Sequence, residues 1–332
     1  MKIILLMGIF VSTLIFIFIL KKIAQKFSLM DIPNERSMHE KIIPRGAGIA
    51  FVFSIFFILF FFDLEYLKTY YYIYFAIAIV WIVGILDDLR DISPKIKFVF
   101  IFFATLILYY NNFTIYSLGT YLGYEIIFPS WLVFPFTFFA LAGYTNALNL
   151  MDGLDGLAAS ISIVMLTTFF AIGIQHNDEL LITLSSFFIV TLVAFLIFNW
   201  HPAKIFMGDS GSLTLGVVIV ILTIQAVQYI TPASVLFIIA LPLLDTFIVM
   251  TRRIQRHQSL FIADKNHMHH FLYNVKGDIR YTVVILATMQ AIFSIIGYQV
   301  SQANNLLSLV LFMLLFYIYL NLFDQRLKRR KK

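Results

Sequence analysis

The chain has 332 residues, of which 61% are hydrophobic and only 13% charged, against about 45–50% apolar and about 25% charged in a soluble domain. With a mean hydropathy of +0.91, this excludes a soluble, disordered, fibrous or disulfide-rich chain and points to a polytopic membrane protein. There is no cysteine, so disulfides, thiolate nucleophiles and Cys-ligated metals are excluded, and the net charge of +6 must be read from where it lies.

A membrane span takes roughly 20 residues. Apolar runs fall at 3–20, 46–62, 70–86, 97–110, 131–146, 157–174, 180–198, 213–230, 233–250, 281–299 and 306–323. They predict an all-α protein of about eleven transmembrane helices, forming one membrane-embedded domain over 1–332. The first run follows Lys2 as a signal peptide would, but it has no small-residue cleavage site and ends in Lys21-Lys22, so it reads as a retained span. The 97–110 run is the shortest and leaves room for an earlier start.

Eleven spans put the termini on opposite sides. Segments 21–45, 87–96, 147–156, 199–212, 251–280 and 324–332, with Lys97 at the boundary, carry 22 of the 24 Lys and Arg. Only Lys2 and Lys68 lie on the other side. The positive-inside rule makes the first side cytoplasmic, the N-terminus external and the C-terminus cytoplasmic. The tail, Arg326, Lys328, Arg329, Arg330, Lys331 and Lys332, reads as a topology signal in contact with anionic lipid and not as a nucleic-acid site. Externally, Tyr116-Ser117-Leu118-Gly119-Thr120-Tyr121 fits a small hairpin. No inverted repeat of the transporter kind is visible.

Six of the seven His and 12 of the 18 acids fall on the cytoplasmic side, and only Asp245 lies inside a span. A transporter needs ionisable groups near the midplane; here they collect at helix ends on one face. Asp87 and Asp88 end the 70–86 run, where adjacent carboxylates repel unless a cation or proton relieves them. A solvated loop countered by Lys95 or Lys97 is the bland alternative. Between Asn146 and Gly156, Asn146, Asn149, Asp152 and Asp155 alternate with apolar residues. Asx capping accounts for one or two of the four; all four together suit a hard cation such as Mg²⁺. Asp209, between Gly208 and Gly211, opens an apolar helix, either as its cap or as a metal carboxylate beside a phosphate on helix amides. Arg252-Arg253 and His267-Met268-His269-His270 read as a phosphate-facing group rather than a zinc site, because positions i and i+2 leave a helix on different faces.

These residues resemble, in order, the cytoplasmic loops of the polyprenyl-phosphate N-acetylhexosamine-1-phosphate transferases, in particular their WecA-like branch. The stretches are Asp31-Ile32-Pro33-Asn34-Glu35-Arg36 through His39 and Pro44, then Asp87-Asp88, Asn146 to Gly156, Phe206-Met207-Gly208-Asp209 with Gly211-Ser212, and His267-Met268-His269-His270. Gly46-Ala47-Gly48 departs from the Gly-Gly pair usual in that family after the Pro.

The resemblance implies a bacterial cytoplasmic (inner) membrane enzyme. It would transfer N-acetylhexosamine-1-phosphate, favouring GlcNAc-1-phosphate, from the UDP-sugar to undecaprenyl phosphate. UMP is released, and a lipid-linked glycan of the lipopolysaccharide or cell-wall polysaccharide kind is begun. It further implies Mg²⁺, with Mn²⁺ as a substitute, held by Asp209 and Asn149. Asp87 and Asp88 position or deprotonate the lipid phosphate, and Lys97 neutralises phosphate. Asp152 and Asp155 hold the nucleoside or order the loop around it, and Arg253, His267, His269 and His270 grip the diphosphate and sugar. Single displacement and a covalent Asp intermediate both stay open, as does a homodimer. The competing readings are another UDP-amino sugar (GalNAc, QuiNAc or FucNAc) and, from a different class, a lipid or solute transporter.

Overall fold

The computed structural model describes residues 2–33, 41–255, 257, 267–302 and 304–330, the last eight of these as backbone alone. The segment from Asn34 to Glu40, within the first resembling loop, lies outside the described residues, as do Lys331 and Lys332. The chain runs through α1 (Lys2–Ile23), a short ribbon β1 (Met30–Asp31) and β2 (Ile43–Pro44), α2 (Ala47–Phe62), α3 (Leu64–Thr69), α4 (Tyr71–Arg90) and α5 (Pro94–Tyr110). A hairpin, β3 (Ser117–Tyr121) and β4 (Tyr124–Ile127), leads to α6 (Ser130–Met151), α7 (Leu157–His176), α8 (Glu179–Asn199) and α9 (Asp209–Ala226). The chain ends with α10 (Pro232–Ile238), α11 (Ala240–Gln255), α12 (Met268–Lys276), α13 (Ile279–Gln299) and α14 (Asn305–Arg330).

The protein is an all-α, multi-pass membrane protein. Each of the eleven apolar runs is helical, ten of them on one helix each and 233–250 on two, α10 and α11, but they differ in reach. Among the described residues eight helices are long and apolar enough to cross a membrane, and a ninth span counts α10 and α11 as one, bent by 89°. The remaining two runs form α2, of 16 residues, and α5, of 17. At 1.5 Å per residue these reach only about 24–26 Å against a hydrocarbon core of about 30 Å. Helix α5 begins at Pro94, where the ring's fixed φ suits a first turn. In the hairpin expected on the external side, residues 117–121 are themselves a strand, and the reversal uses Leu122 and Gly123, both at positive φ.

Helix α9 is the axis of the molecule. Within its apolar window 83% of residues are buried, against 22% for α14, which therefore lies at the periphery. Neighbouring helices reach α9 through glycines. A Cβ on Gly48 of α2 would lie 2.0 Å from the Gly211 nitrogen, and one on Gly84 of α4 would lie 2.5 Å from the Ser210 Cα. Both contacts are possible only without a side chain. They draw α2 and α4 onto the first turn of α9, where the acidic residues are. At the other end of α9, Asp178 between α7 and α8 accepts from Gln225 and Tyr229 and caps Leu181.

Candidate active site

Gly208 precedes α9 at φ 74° and has no side chain to cap it. The cap comes from another helix: Asp88 Oδ1 accepts from the Asp209 amide at 2.8 Å, and Oδ2 from the Ser210 amide at 3.1 Å. A carboxylate there meets the positive end of the helix dipole. Asp88, expected at the lipid phosphate, is 2% exposed with both oxygens on backbone amides. The amides expected to hold a phosphate already hold a carboxylate.

Asp209 is the first residue of α9 and not its cap, which leaves its side chain for other partners. Lys97, in the first turn of α5, donates to Asp87 Oδ2 at 2.8 Å and also to Asp209 Oδ2. Asn149, in the last turn of α6, donates from Nδ2 to Asp209 Oδ1 at 3.0 Å and to the Ser212 hydroxyl at 2.8 Å. The ends of α4, α5, α6 and α9 thus meet in one network. Asp152, directly after α6, has its carboxyl pushed well above the usual range by burial and by the charges of Asp209, Asp88 and Asp155.

Two carboxylate oxygens, from Asp87 and Asp209, bracket a single cationic nitrogen. Hard oxygen donors around one cation position fit Mg²⁺, which takes one or two carboxylates and fills its octahedron with water and substrate phosphate. Among the described residues no group of three or more His, Cys, Asp or Glu is arranged to hold a metal by itself. Asn149 presents its nitrogen to Asp209, so a ligand role requires the amide to turn. Ser212 Oγ tolerates that exchange because a hydroxyl both donates and accepts.

The loops around this network are tied largely by residues whose roles the sequence left unassigned. Pro44 accepts from the Phe206 amide at 2.8 Å, and the amides of Ala47 and Gly48 donate to Phe206 and Met207 at 3.0 and 2.9 Å. Ala47, the departure from the Gly-Gly pair, is fully buried in this seam. Arg45 donates to the Asp88 carbonyl at 3.1 Å and pairs with Asp91 at 3.0 Å. Asn199 bridges the Gly156 amide and the Ile205 carbonyl. Asp155 accepts from His201 Nδ1 at 2.7 Å and from the Ala203 amide at 3.0 Å. Asp155 Oδ2 thus ties the segment from His201 to Ala203 to the end of the Asn146–Gly156 stretch.

The histidines form a second group. His267 and His269 have near-parallel rings with centroids 5.8 Å apart, and His270 lies 4.3 Å beyond. A Cβ on Gly153 would lie 2.6 Å from His269 Nε2, so that glycine brings the group against the residue after Asp152. His269 is 1% exposed, and burial together with His270 pushes it down to about 3, leaving it neutral. Arg253 is half-buried on α11, two turns beyond Asp245. Asp245, the one acid expected inside a span, is turned to His267 and the Met268 amide, each at 2.7 Å.

Residues 70–227 match glycosyl transferase family 4. The chain is 32% identical over 305 residues to a Bacillus subtilis (strain 168) protein named "Probable undecaprenyl-phosphate N-acetylglucosaminyl 1-phosphate transferase", covering 90% of this chain and 85% of that one. It is 31% identical over 348 residues to the undecaprenyl-phosphate alpha-N-acetylglucosaminyl 1-phosphate transferase of Escherichia coli (strain K12), covering 95% and 89%. The protein of the same name from Yersinia pestis is 31% identical over 331 residues, with the same coverage.

Proposed function

The chain belongs to glycosyl transferase family 4 together with these sugar-1-phosphate transferases, and on that footing we propose that it moves GlcNAc-1-phosphate from UDP-GlcNAc to undecaprenyl phosphate. The observation that carries this reading is the pair of carboxylates, Asp87 and Asp209, closed on the Lys97 ammonium where four helix ends meet. Such a site neutralises and aligns phosphates at the edge of an apolar bundle, which is where a polyprenyl phosphate and a water-soluble nucleotide must meet.

An oxygen of the lipid phosphate attacks the sugar-bearing phosphorus of the donor. The bond between that phosphorus and the oxygen bridging to the uridine-bearing phosphorus breaks, and UMP leaves with its electrons. The lipid phosphate is largely deprotonated at neutral pH, its second pKa being ~6, so the protein's task is alignment and charge neutralisation. Lys97 supplies one positive charge to the phosphates once they enter. Asp87 orients the Lys97 ammonium and accepts any proton the lipid phosphate still carries. Asp209, with Asn149 once its amide has turned, would hold Mg²⁺, which would supply charge neutralisation to the diphosphate and the departing UMP. Asp152 holds the nucleoside of the donor, while Asp155 holds the His201–Ala203 loop against the site. His267, His269, His270 and Arg253 receive the diphosphate and sugar of the donor. Asp88 keeps the first turn of α9, and with it Asp209, in register. We place this site at the cytoplasmic face of a bacterial inner membrane on the charge distribution, with single displacement as the simplest course for it.

The test is UMP release in detergent micelles from UDP-GlcNAc, undecaprenyl phosphate and Mg²⁺. Asp209→Asn keeps the backbone cap from Asp88 and the fold, and its rate falls by ~10²–10³-fold, the usual worth of one electrostatic contact at a reacting centre. Higher Mg²⁺ or Mn²⁺ restores part of that rate. Retention of more than about half the activity at limiting Mg²⁺ removes Asp209 as the metal carboxylate. Release from UDP-MurNAc-pentapeptide at a comparable rate changes the donor.

A further inference from the structure

One buried acid has no part in the chemistry above. Asp245 lies on α11, past the 89° bend from α10, and is 3% exposed. An unpaired carboxylate there is costly, and paired acids inside membrane helices mark function more often than fold. Its two oxygens have different work. Oδ1 accepts from the Met268 amide at 2.7 Å, and Oδ2 faces His267 Nδ1 at 2.7 Å. The first contact is a cap: Met268 opens α12, and His267 at the N-cap position makes no side-chain cap of its own. An amide oxygen caps about as well as a carboxylate, so the cap alone does not require an acid.

The second contact does. With Oδ1 engaged by Met268, a carboxylate presents an acceptor to His267 Nδ1 and so keeps the proton on that nitrogen. An Asn at 245, capping through its oxygen, presents its NH₂ instead and drives His267 to the opposite tautomer, with Nδ1 as acceptor. The ring of His267 is parallel to that of His269, and His269 in turn presses on Gly153. The orientation of one ring therefore carries to the whole group and to the loop that holds Asp152.

We propose that Asp245 is a positioning residue for the sugar-nucleotide site, holding His267 in its Nδ1–H form and the stacked histidines against Gly153. This rests on the reading that the histidine group receives the donor's diphosphate and sugar. A carboxylate behind a working imidazole is the arrangement that fixes histidine tautomers at metal centres and in hydrolytic triads, where its loss costs one to several orders of magnitude. Asp245 touches no substrate; it acts through His267.

The experiment uses the full-length protein in micelles, with UDP-GlcNAc, undecaprenyl phosphate and Mg²⁺. Asp245→Asn keeps the cap, so its Tm stays within about 2 °C of the parent. Its kcat/KM falls about 10–100-fold, mostly through KM for UDP-GlcNAc. In a His267→Ala background the same substitution adds no more than ~twofold, as expected when one residue acts through the other. Histidine-selective ¹⁵N spectra, assigned by the signal lost in His267→Ala, show His267 protonated on Nδ1 in the parent and on Nε2 in Asp245→Asn. The proposal is overturned if Asp245→Asn lowers Tm while kcat/KM per folded molecule is unchanged. It is equally overturned if the loss is as large without His267, or if the parent is already protonated on Nε2. The tautomer readout needs no turnover. A tautomer switch between the parent and Asp245→Asn, with a parent that releases no UMP, would refute the proposed reaction and leave the Asp245–His267 pairing standing.

Discussion

At the scale of the residue, the site is governed by which partner each acid finds. Asp87 and Asp88 are neighbours in sequence, yet one closes on Lys97 and the other on the backbone of α9. Their roles separate because successive residues leave a helix about 100° apart. His269 shows the same dependence on surroundings. Burial and the His270 charge push it down to about 3, whereas an unfolded histidine titrates near ~6.5. Between these values the unfolded chain binds more protons than the folded one, so stability drops as pH falls through that window. His269→Gln removes this term. Thermal unfolding in micelles at pH 7 and about pH 4.5 is expected to show a smaller acid loss for His269→Gln than for the parent, by on the order of 2 kcal/mol.

At the scale of the element, the first turn of α9 is assembled by its neighbours. Gly48 allows α2 to touch it, Gly84 allows α4 to touch it, and Asp88 supplies the cap that Gly208 lacks. Gly48→Ala places a methyl carbon 2.0 Å from a backbone nitrogen that no rotamer change can move. The expected cost exceeds the ~1–3 kcal/mol of ordinary overpacking, read as a large fall in Tm or loss of folded protein on size exclusion. Asp88→Asn leaves one oxygen for two amide donors, and a buried unsatisfied group costs about 1–3 kcal/mol. Its Tm is expected to fall by several degrees (roughly 2–4 °C per kcal/mol), and its activity to fall with the displacement of Asp209. Both glycines stood in the sequence beside residues of interest, but nothing local said that a helix more than a hundred positions away would press on them. The lengths of the apolar runs marked helices over all eleven, yet not the bend between α10 and α11.

At the scale of the whole molecule, charge and packing bear on the same face. The ends of α4, α5, α6 and α9 that carry Asp87, Lys97, Asn149 and Asp209 are in contact, and the segments expected on that side of the membrane hold 22 of the 24 basic residues. The expected orientation puts that face in the cytoplasm. A reporter fused after Lys332 is expected to read cytoplasmic, and one inserted in the 111–130 loop, external. A cytoplasmic reading for 111–130 overturns the orientation.

The sequence alone determined the solvent of the protein, because 61% apolar residues with 13% charged has no soluble solution. It also determined the order of the polar loops, since charges are excluded from hydrocarbon and collect where spans end. Only the tertiary structure decided which acid does what. Asp88 became a cap for a helix 121 positions away, Asp155 a loop tie and Asp245 the partner of His267. Those assignments are set by contacts between distant segments, and residue type or spacing along one segment carries no record of them. A carboxylate reads the same in sequence whether it faces a lysine, an amide or an imidazole.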